Sequence, residues 1–262
     1  MSILEKIVAD KKKEVALKQQ VAPRNQLEQN TLFEKDTVSL SNALQSGSGI
    51  IAEHKRRSPS KSVINNSLSV QEVASGYEKA GASGMSVLTD GKYFGGSLDD
   101  LLVARAAVNF PLLRKEFIVN EYQILEAKAH GADAILLIAA TLTKEEIKRF
   151  SAFAKALQLD VLCEAHNKKE VQNSIVETVD MIGINNRNLK TFEVSLETSK
   201  TLVELIPDDF VKVSESGISS IQAINELKQF GFEGFLIGEN FMKTTNPGLA
   251  AEEFVNQLIL PS

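Results

Sequence analysis

Cysteine is almost absent: Cys163 is the only one in 262 residues. No intrachain disulfide can form, and the chain suits a reducing compartment, so the cytoplasm is the expected location. No apolar run approaches the roughly 20 residues that a membrane-spanning helix needs. The early charges at Glu5, Lys6 and Asp10 do not fit a signal peptide. There is no excess of positive charge either, since 29 Lys and Arg face 34 Asp and Glu for a net charge of −5. That balance argues against a nucleic-acid partner, but not against an anionic small molecule, because the field inside a cleft can oppose the global sign. The three histidines, His54, His130 and His166, show no metal-ligand spacing, so no metal is expected.

What is present is a hydrophobic fraction of 43%, enough for a sizeable core. The length fits one α/β barrel, which typically takes roughly 250 residues. Residues 2–21 read as a helix, with Ile3, Leu4, Ile7, Val8 and Val15 at helical spacing and Lys11-Lys12-Lys13 on the solvated face. Pro23 ends it, and a short helix over Leu40–Leu44 leads into Gly47-Ser48-Gly49. Residues 1–48 hold no strand and read as a helical extension lying on a barrel that occupies 49–262.

From Gly49 onward the chain alternates. Apolar β-runs fall at Ile50–Lys55, Met85–Thr89, Leu112–Phe117, Ala134–Ala139, Asp160–Glu164, Met181–Asn185, Val211–Glu215 and Gly234–Gly238. Helical patterns separate them, opened by Ser97 as a cap, by the capping box Thr143-Lys-Glu-Glu146 and by Asn167-Lys-Lys-Glu170. Eight such units in one domain of this size predict a parallel (β/α)8 TIM barrel. The Gly-rich stretch Asp90–Gly96 reads as a long loop suited to a lid.

In such barrels the catalytic groups stand at the C-terminal ends of strands. Here those ends carry residues that are costly to bury. With side chains alternating, Glu53 and Lys55 share the inward face of the first run, and Lys115 shares one with Leu113 and Phe117. Glu164 ends the fifth run, Asn185 and Arg187 the sixth, Glu215 the seventh and Glu239 the eighth. One buried charge is commonly a structural ion pair. Six strands converging in this way point to a site, because a buried Lys–Glu set is less favourable than an apolar core of equal volume. Ser216-Gly217 and Gly238-Glu239-Asn240 fall after the seventh and eighth strands, where barrels bind phosphate, and Asn240–Lys243 fits the short extra helix of such sites. His54 is read as facing the helix layer, His130 as a helix cap, His166 as lying beyond the strand end, and Cys163 as core.

The segments Ile51-Ala-Glu-His-Lys-Arg-Arg-Ser-Pro-Ser60, Leu113-Arg-Lys-Glu-Phe-Ile118, Gly183-Ile-Asn-Asn-Arg-Asn-Leu189 and Ser214-Glu-Ser-Gly-Ile218 resemble the indole-3-glycerol phosphate synthase family. So do Ser86-Val-Leu-Thr-Asp90, Tyr93-Phe-Gly-Gly-Ser97, His130-Gly-Ala-Asp133 and Leu236-Ile-Gly238, in order along nearly the whole chain. The resemblance implies a lyase of tryptophan biosynthesis. Such an enzyme closes the pyrrole ring of 1-(2-carboxyphenylamino)-1-deoxyribulose 5-phosphate, with loss of carbon dioxide and water and without a cofactor. It implies Lys115 as general acid, and Glu164 and Glu53, assisted by Lys55, as the acid and base of dehydration in an order left open. Lys55 and Arg187 are implied partners of the substrate carboxylate, supported by Asn185, and Glu215 is implied to orient Lys115 or a substrate hydroxyl. Ser58, Ser216, Gly217 and Gly238 are implied phosphate ligands, and Glu239 is expected to be a substrate-binding residue. Phe94, Phe117, Leu136 and Leu189 are implied walls of an apolar pocket. The neighbours Phe117 and Lys55 are expected to lower the Lys115 pKa. A monomer is the expected state. The alternative is another phosphosugar barrel of the tryptophan or histidine pathways, or one that binds such a ligand without turning it over.

Overall fold

The eight apolar runs form eight strands: β1 (Ile50–His54), β2 (Gly84–Leu88), β3 (Leu112–Lys115), β4 (Ala134–Ile138), β5 (Asp160–Ala165), β6 (Met181–Asn185), β7 (Val211–Glu215) and β8 (Gly234–Ile237). The computed structural model describes residues 2–259 apart from 60, 66 and 190, so Ser60 of the first motif lies outside the described residues. Each strand pairs in parallel with the next, and β1 closes on β8. The sheet is therefore the closed (β/α)8 barrel that the alternation predicts. Its register aligns Leu88 with Lys115, Ile138 with Glu164 and Asn185 with Glu215, which brings the charged strand ends to one rim.

Two apolar layers follow from the period of two along each strand. Ile51, Leu113, Leu136, Leu162, Met181, Val213 and Leu236 fill the barrel interior. Ile50, Val87, Leu137, Cys163 and Ile184 point outward under the helices. Cys163 belongs to this outer core; burial pushes its thiol up to about 12, and its Sγ lies 3.1 Å from Ser174 Oγ. His54 is buried on the same outer side, and desolvation lowers its pKa to about 4, so it packs as a neutral ring. His130 caps the helix Glu121–Ala129, with Nδ1 2.7 Å from the Glu126 carbonyl.

Three helices precede the barrel: α1 (Ile3–Val21), α2 (Arg24–Glu28) and α3 (Leu40–Ser46). Ser2 and Glu5 form a capping box at the start of α1. The sequence pattern does not reveal α2, because five residues with only Leu27 buried carry no periodicity. Helix α3 inserts Leu40 and Leu44 into the interior cluster and closes the N-terminal mouth of the barrel. Asp160 at the start of β5 holds it there, accepting from Ser39 Oγ at 2.9 Å and Ser41 N at 3.0 Å.

Helix α1 lies across the opposite rim and corrects one expectation. Lys11 is not solvated but 2% exposed, and its ammonium contacts Asp90 at 2.9 Å, Glu116 at 3.2 Å and Glu14 at 2.8 Å. Burial disfavours its charge, yet these carboxylates hold its pKa above the usual lysine range. A run of three lysines reads as one wet face, but the helix turns its residues by about 100° each, so one of the three meets the barrel. The stretch Asp90–Gly96 is also more ordered than its glycines indicate. Gly91–Phe94 forms a helical turn capped by Asp90, and Lys92 joins Asp10 of α1 at 2.6 Å.

Candidate active site

Each inward charge stands on a separate strand, and the barrel's closure brings them together. Glu53 lies next to the end of β1 with 2% exposure, Glu164 lies near the end of β5 with 5%, and Glu215 ends β7 with 0%. Lys115 ends β3 and reaches between two of them, 3.2 Å from Glu53 Oε2 and 2.9 Å from Glu215 Oε2. Lys55, one residue past β1, pairs with the other oxygen of Glu53. Two glycines make room for these carboxylates. A Cβ at Gly238 would come 2.4 Å from Glu53 Oε1, and one at Gly183 would come 2.4 Å from Glu215 Oε1.

This packing sets the charges. Burial alone would raise the Glu53 pKa, but Lys55 and Lys115 hold it at about 2, so Glu53 is an anion. Burial pushes Glu215 up to about 7 despite the attraction of Lys115, and the nearby Glu164 adds to the push. Lys115 itself is the second correction. Desolvation acts to lower its pKa, but Glu215, Glu53 and Glu164 outweigh it, and the ammonium is held above its usual range. The expected lowering by Phe117 and Lys55 fails because the contacts of Lys115 are carboxylates.

Above this charged floor is a pocket with apolar walls. Phe94 and Phe117 pack at 5.8 Å between ring centroids, and Leu136 and Leu189 line the same space. Lys55, Lys115, Glu53, Glu164, Asn185, Arg187, Ser58, Ser216 and Glu239 share it. The Asn185 carboxamide accepts the Arg187 backbone N–H at 3.0 Å, and the Arg187 guanidinium donates to the Phe192 carbonyl at 3.3 Å. A polar recess adjoins the pocket, lined by Ser216, Gly217, Gly238, Glu239 and Lys243. Ser216 has φ of 69°, a left-handed conformation that is uncommon outside glycine and that clusters at functional sites. The short helix beside the recess is Glu239–Met242, one residue earlier than expected, and Lys61 pairs with Glu239 at 2.7 Å. Ser58 lines the apolar pocket rather than the recess and exchanges backbone hydrogen bonds with Lys61 at 2.8 and 3.0 Å. Glu215 is not part of the pocket surface; it lies beneath, in contact with Lys115.

Sequence reasoning missed several residues here. Ile3, Leu4 and Ile7 of α1 form part of the wall, as does Phe192, whose φ is 61°. Nothing in a helical period tells which end of a barrel a preceding helix will cover. Asp90 and Glu116 carried a usable signal: like the other strand ends, each places a carboxylate where a partner is needed, and the partner is Lys11. His166, read as lying outside the site, has Nε2 3.5 Å from Glu164 Oε1.

Two solved structures share the fold at low identity. Thiamine phosphate pyrophosphorylase from Pyrococcus furiosus aligns with a TM-score of 0.61 at 16% identity, covering 84% of this chain and all of the other. A chain of the tryptophan synthase complex from the same organism aligns at 0.57 and 12%, covering 81% of this chain and 98% of the other. The indole-3-glycerol phosphate synthase of Bacteroides thetaiotaomicron is 47% identical over 257 residues, covering 98% of both chains. That of Polynucleobacter necessarius is 41% identical, over 96% of this chain and 98% of the relative. The family model for indole-3-glycerol phosphate synthase matches residues 4–254, and the chain belongs to that family.

Proposed function

We propose that this barrel closes the pyrrole ring of 1-(2-carboxyphenylamino)-1-deoxyribulose 5-phosphate, with Lys115 as the acid of ring closure. The observation that carries the assignment is the position of Lys115, held between Glu53 and Glu215 on the floor of an apolar pocket beside a glycine-lined recess. The aromatic ring of the substrate fits between Phe94, Phe117, Leu136 and Leu189. The phosphate fits the recess of Ser216, Gly217, Gly238 and Glu239, with Ser58 at its approach. Lys55 and Arg187 face the carboxylate, with Asn185 bracing the Arg187 backbone.

When the aryl carbon attacks the ketone, negative charge grows on the oxygen. An alkoxide is more basic than any ammonium, so the raised pKa of Lys115 does not prevent proton donation. It ensures that the proton is present when the charge develops. Loss of carbon dioxide then restores the aromatic ring. Dehydration needs a proton donor for the departing hydroxyl and a base for a substrate proton. Glu53 stays ionised beside its two lysines and holds them in place. A pKa of about 2 makes Glu53 a weak proton acceptor, so Glu164 is assigned as the base and Lys55 as the proton donor to the hydroxyl. The full burial of Glu215 and its bond to Lys115 favour orientation of that ammonium over contact with a substrate hydroxyl.

The test is direct. The chain contains no tryptophan, so indole emission that appears when the protein meets the synthetic substrate comes from the product and not from the protein. Absence of that emission at high protein concentration leaves a barrel that binds a phosphorylated ligand without turning it over.

A further inference from the structure

His166 follows Glu164 by two residues and stands just past the end of β5. Its ring lies between two carboxylates. Nδ1 is 3.1 Å from Glu170 Oε2, and the same oxygen accepts the His166 backbone N–H at 2.8 Å. Glu170 sits in the first turn of the helix Lys168–Ser174, so the rear edge of the ring is fixed to that helix. On the other edge, Nε2 faces Glu164 Oε1 at 3.5 Å, and it is a buried nitrogen without a hydrogen bond. The side chain is 10% exposed.

An ionised carboxylate only accepts hydrogen bonds, and a neutral imidazole carries one N–H. A neutral ring here would turn a lone pair toward one of the two carboxylates. Only the imidazolium donates on both edges. We propose that His166 is a positioning residue, held as an imidazolium between Glu170 and Glu164, which keeps Glu164 ionised and aimed into the pocket for proton uptake in dehydration. This rests on the reading of Glu164 as the base. Burial works against charge on the ring, but Glu170, Glu164 and, from β7, Glu215 outweigh it and hold its pKa above the ordinary histidine value. Across the adjoining hollow lie Arg187 and Glu193, from the loop after β6.

The first test is nitrogen NMR of the imidazoles, which three histidines make assignable by single substitutions. Both ring nitrogens of His166 should be protonated at pH 7, and its titration should fall toward about 6.5 in Glu164→Gln. A single neutral tautomer at pH 7 overturns the proposal. The second test is the pH profile of His166→Gln. Its acidic limb in kcat should move up by about one pH unit, for a loss of about tenfold at pH values below both limbs, with KM within about twofold. Glu170→Gln should move the limb the same way by less. A uniform loss of kcat across pH, or a fall in Tm with the limb in place, means a purely structural histidine and overturns the proposal. A doubly protonated ring together with full kcat in Glu164→Gln refutes the use of Glu164 as a base while leaving the His166–Glu164 pair standing.

Discussion

Two lysines of this chain are surrounded by carboxylates, and the two clusters differ in what is left over. Around Lys11 the oxygens are shared out. Asp90 also takes the Tyr93 N–H at 2.6 Å, and Glu116 takes the Phe117 N–H at 2.8 Å and the Thr89 hydroxyl at 2.9 Å. Around Lys115 the account does not close. Glu215 Oε1 has no partner, the Glu215 pKa is pushed up to about 7, and the ammonium borders an open pocket. A saturated cluster fastens α1 to the barrel. An unsaturated one holds an unpaired acceptor beneath the floor, at a cost of about 1–3 kcal/mol, and leaves the Lys115 ammonium facing the pocket. The same residue types serve as clasp or as catalyst according to whether the last hydrogen bond is made.

Substitutions can break or sharpen that contrast. The largest effect belongs to Lys115→Ala, which should lower kcat by about 10²–10⁴-fold with little change in KM, as measured by indole emission. A kcat within a few-fold of the parent removes Lys115 as the acid and erases the distinction. Next, Lys11→Ala leaves Asp90 buried without its cation, and Glu116 with only the more distant Arg114 at 3.7 Å. Denaturant titration should show a loss of about 3–5 kcal/mol, with a rise in KM because Ile3, Leu4 and Ile7 of the same helix line the pocket.

Glu215→Gln should act in the opposite sense on stability. The folded pKa of Glu215, about 7, lies above the ordinary value of 4.5, so the folded state binds more protons between those limits. Its contribution is full below pH 4.5 and is lost as pH rises to 7. The uncharged variant escapes that loss, so it should be more stable than the parent at pH 8 by up to about 3 kcal/mol and less active. An unchanged stability-versus-pH curve would show that Glu215 is as well satisfied as Glu116. The smallest effect is expected at the surface. Lys92→Ala removes only exposed contacts, with Asp10 and with the Tyr93 ring, and the melting temperature should not change measurably. A clear drop would extend the clasp outward to the turn Gly91–Phe94.

Much of the site was legible because strand periodicity is local. Two-residue alternation put Glu53 with Lys55 on one face, and Lys115 with Phe117, and both pairs border the pocket. The depth of Glu215 was not legible, nor was the clearance that Gly183 and Gly238 give to the carboxylates. Those depend on how far neighbouring strands are staggered, which no single strand records. The Lys115 pKa was misjudged for the same reason. Phe117 was visible two residues along the chain, whereas Glu215 lies 100 residues away.

By itself the amino-acid sequence determined the eight-fold alternation, the strand limits to within about two residues, the helix caps at Ser97, Thr143 and Asn167, and the kinds of side chain offered at each strand end. These follow from periodicity and from hydrogen bonds that reach three or four residues. Only the tertiary structure decided that Lys11 is buried, that α1 roofs the pocket while α3 stops the opposite mouth, and that His166 stands between Glu164 and Glu170. Burial and electrostatic sign belong to the closed ring as a whole, since each charge takes its character from neighbours that arrive on other strands.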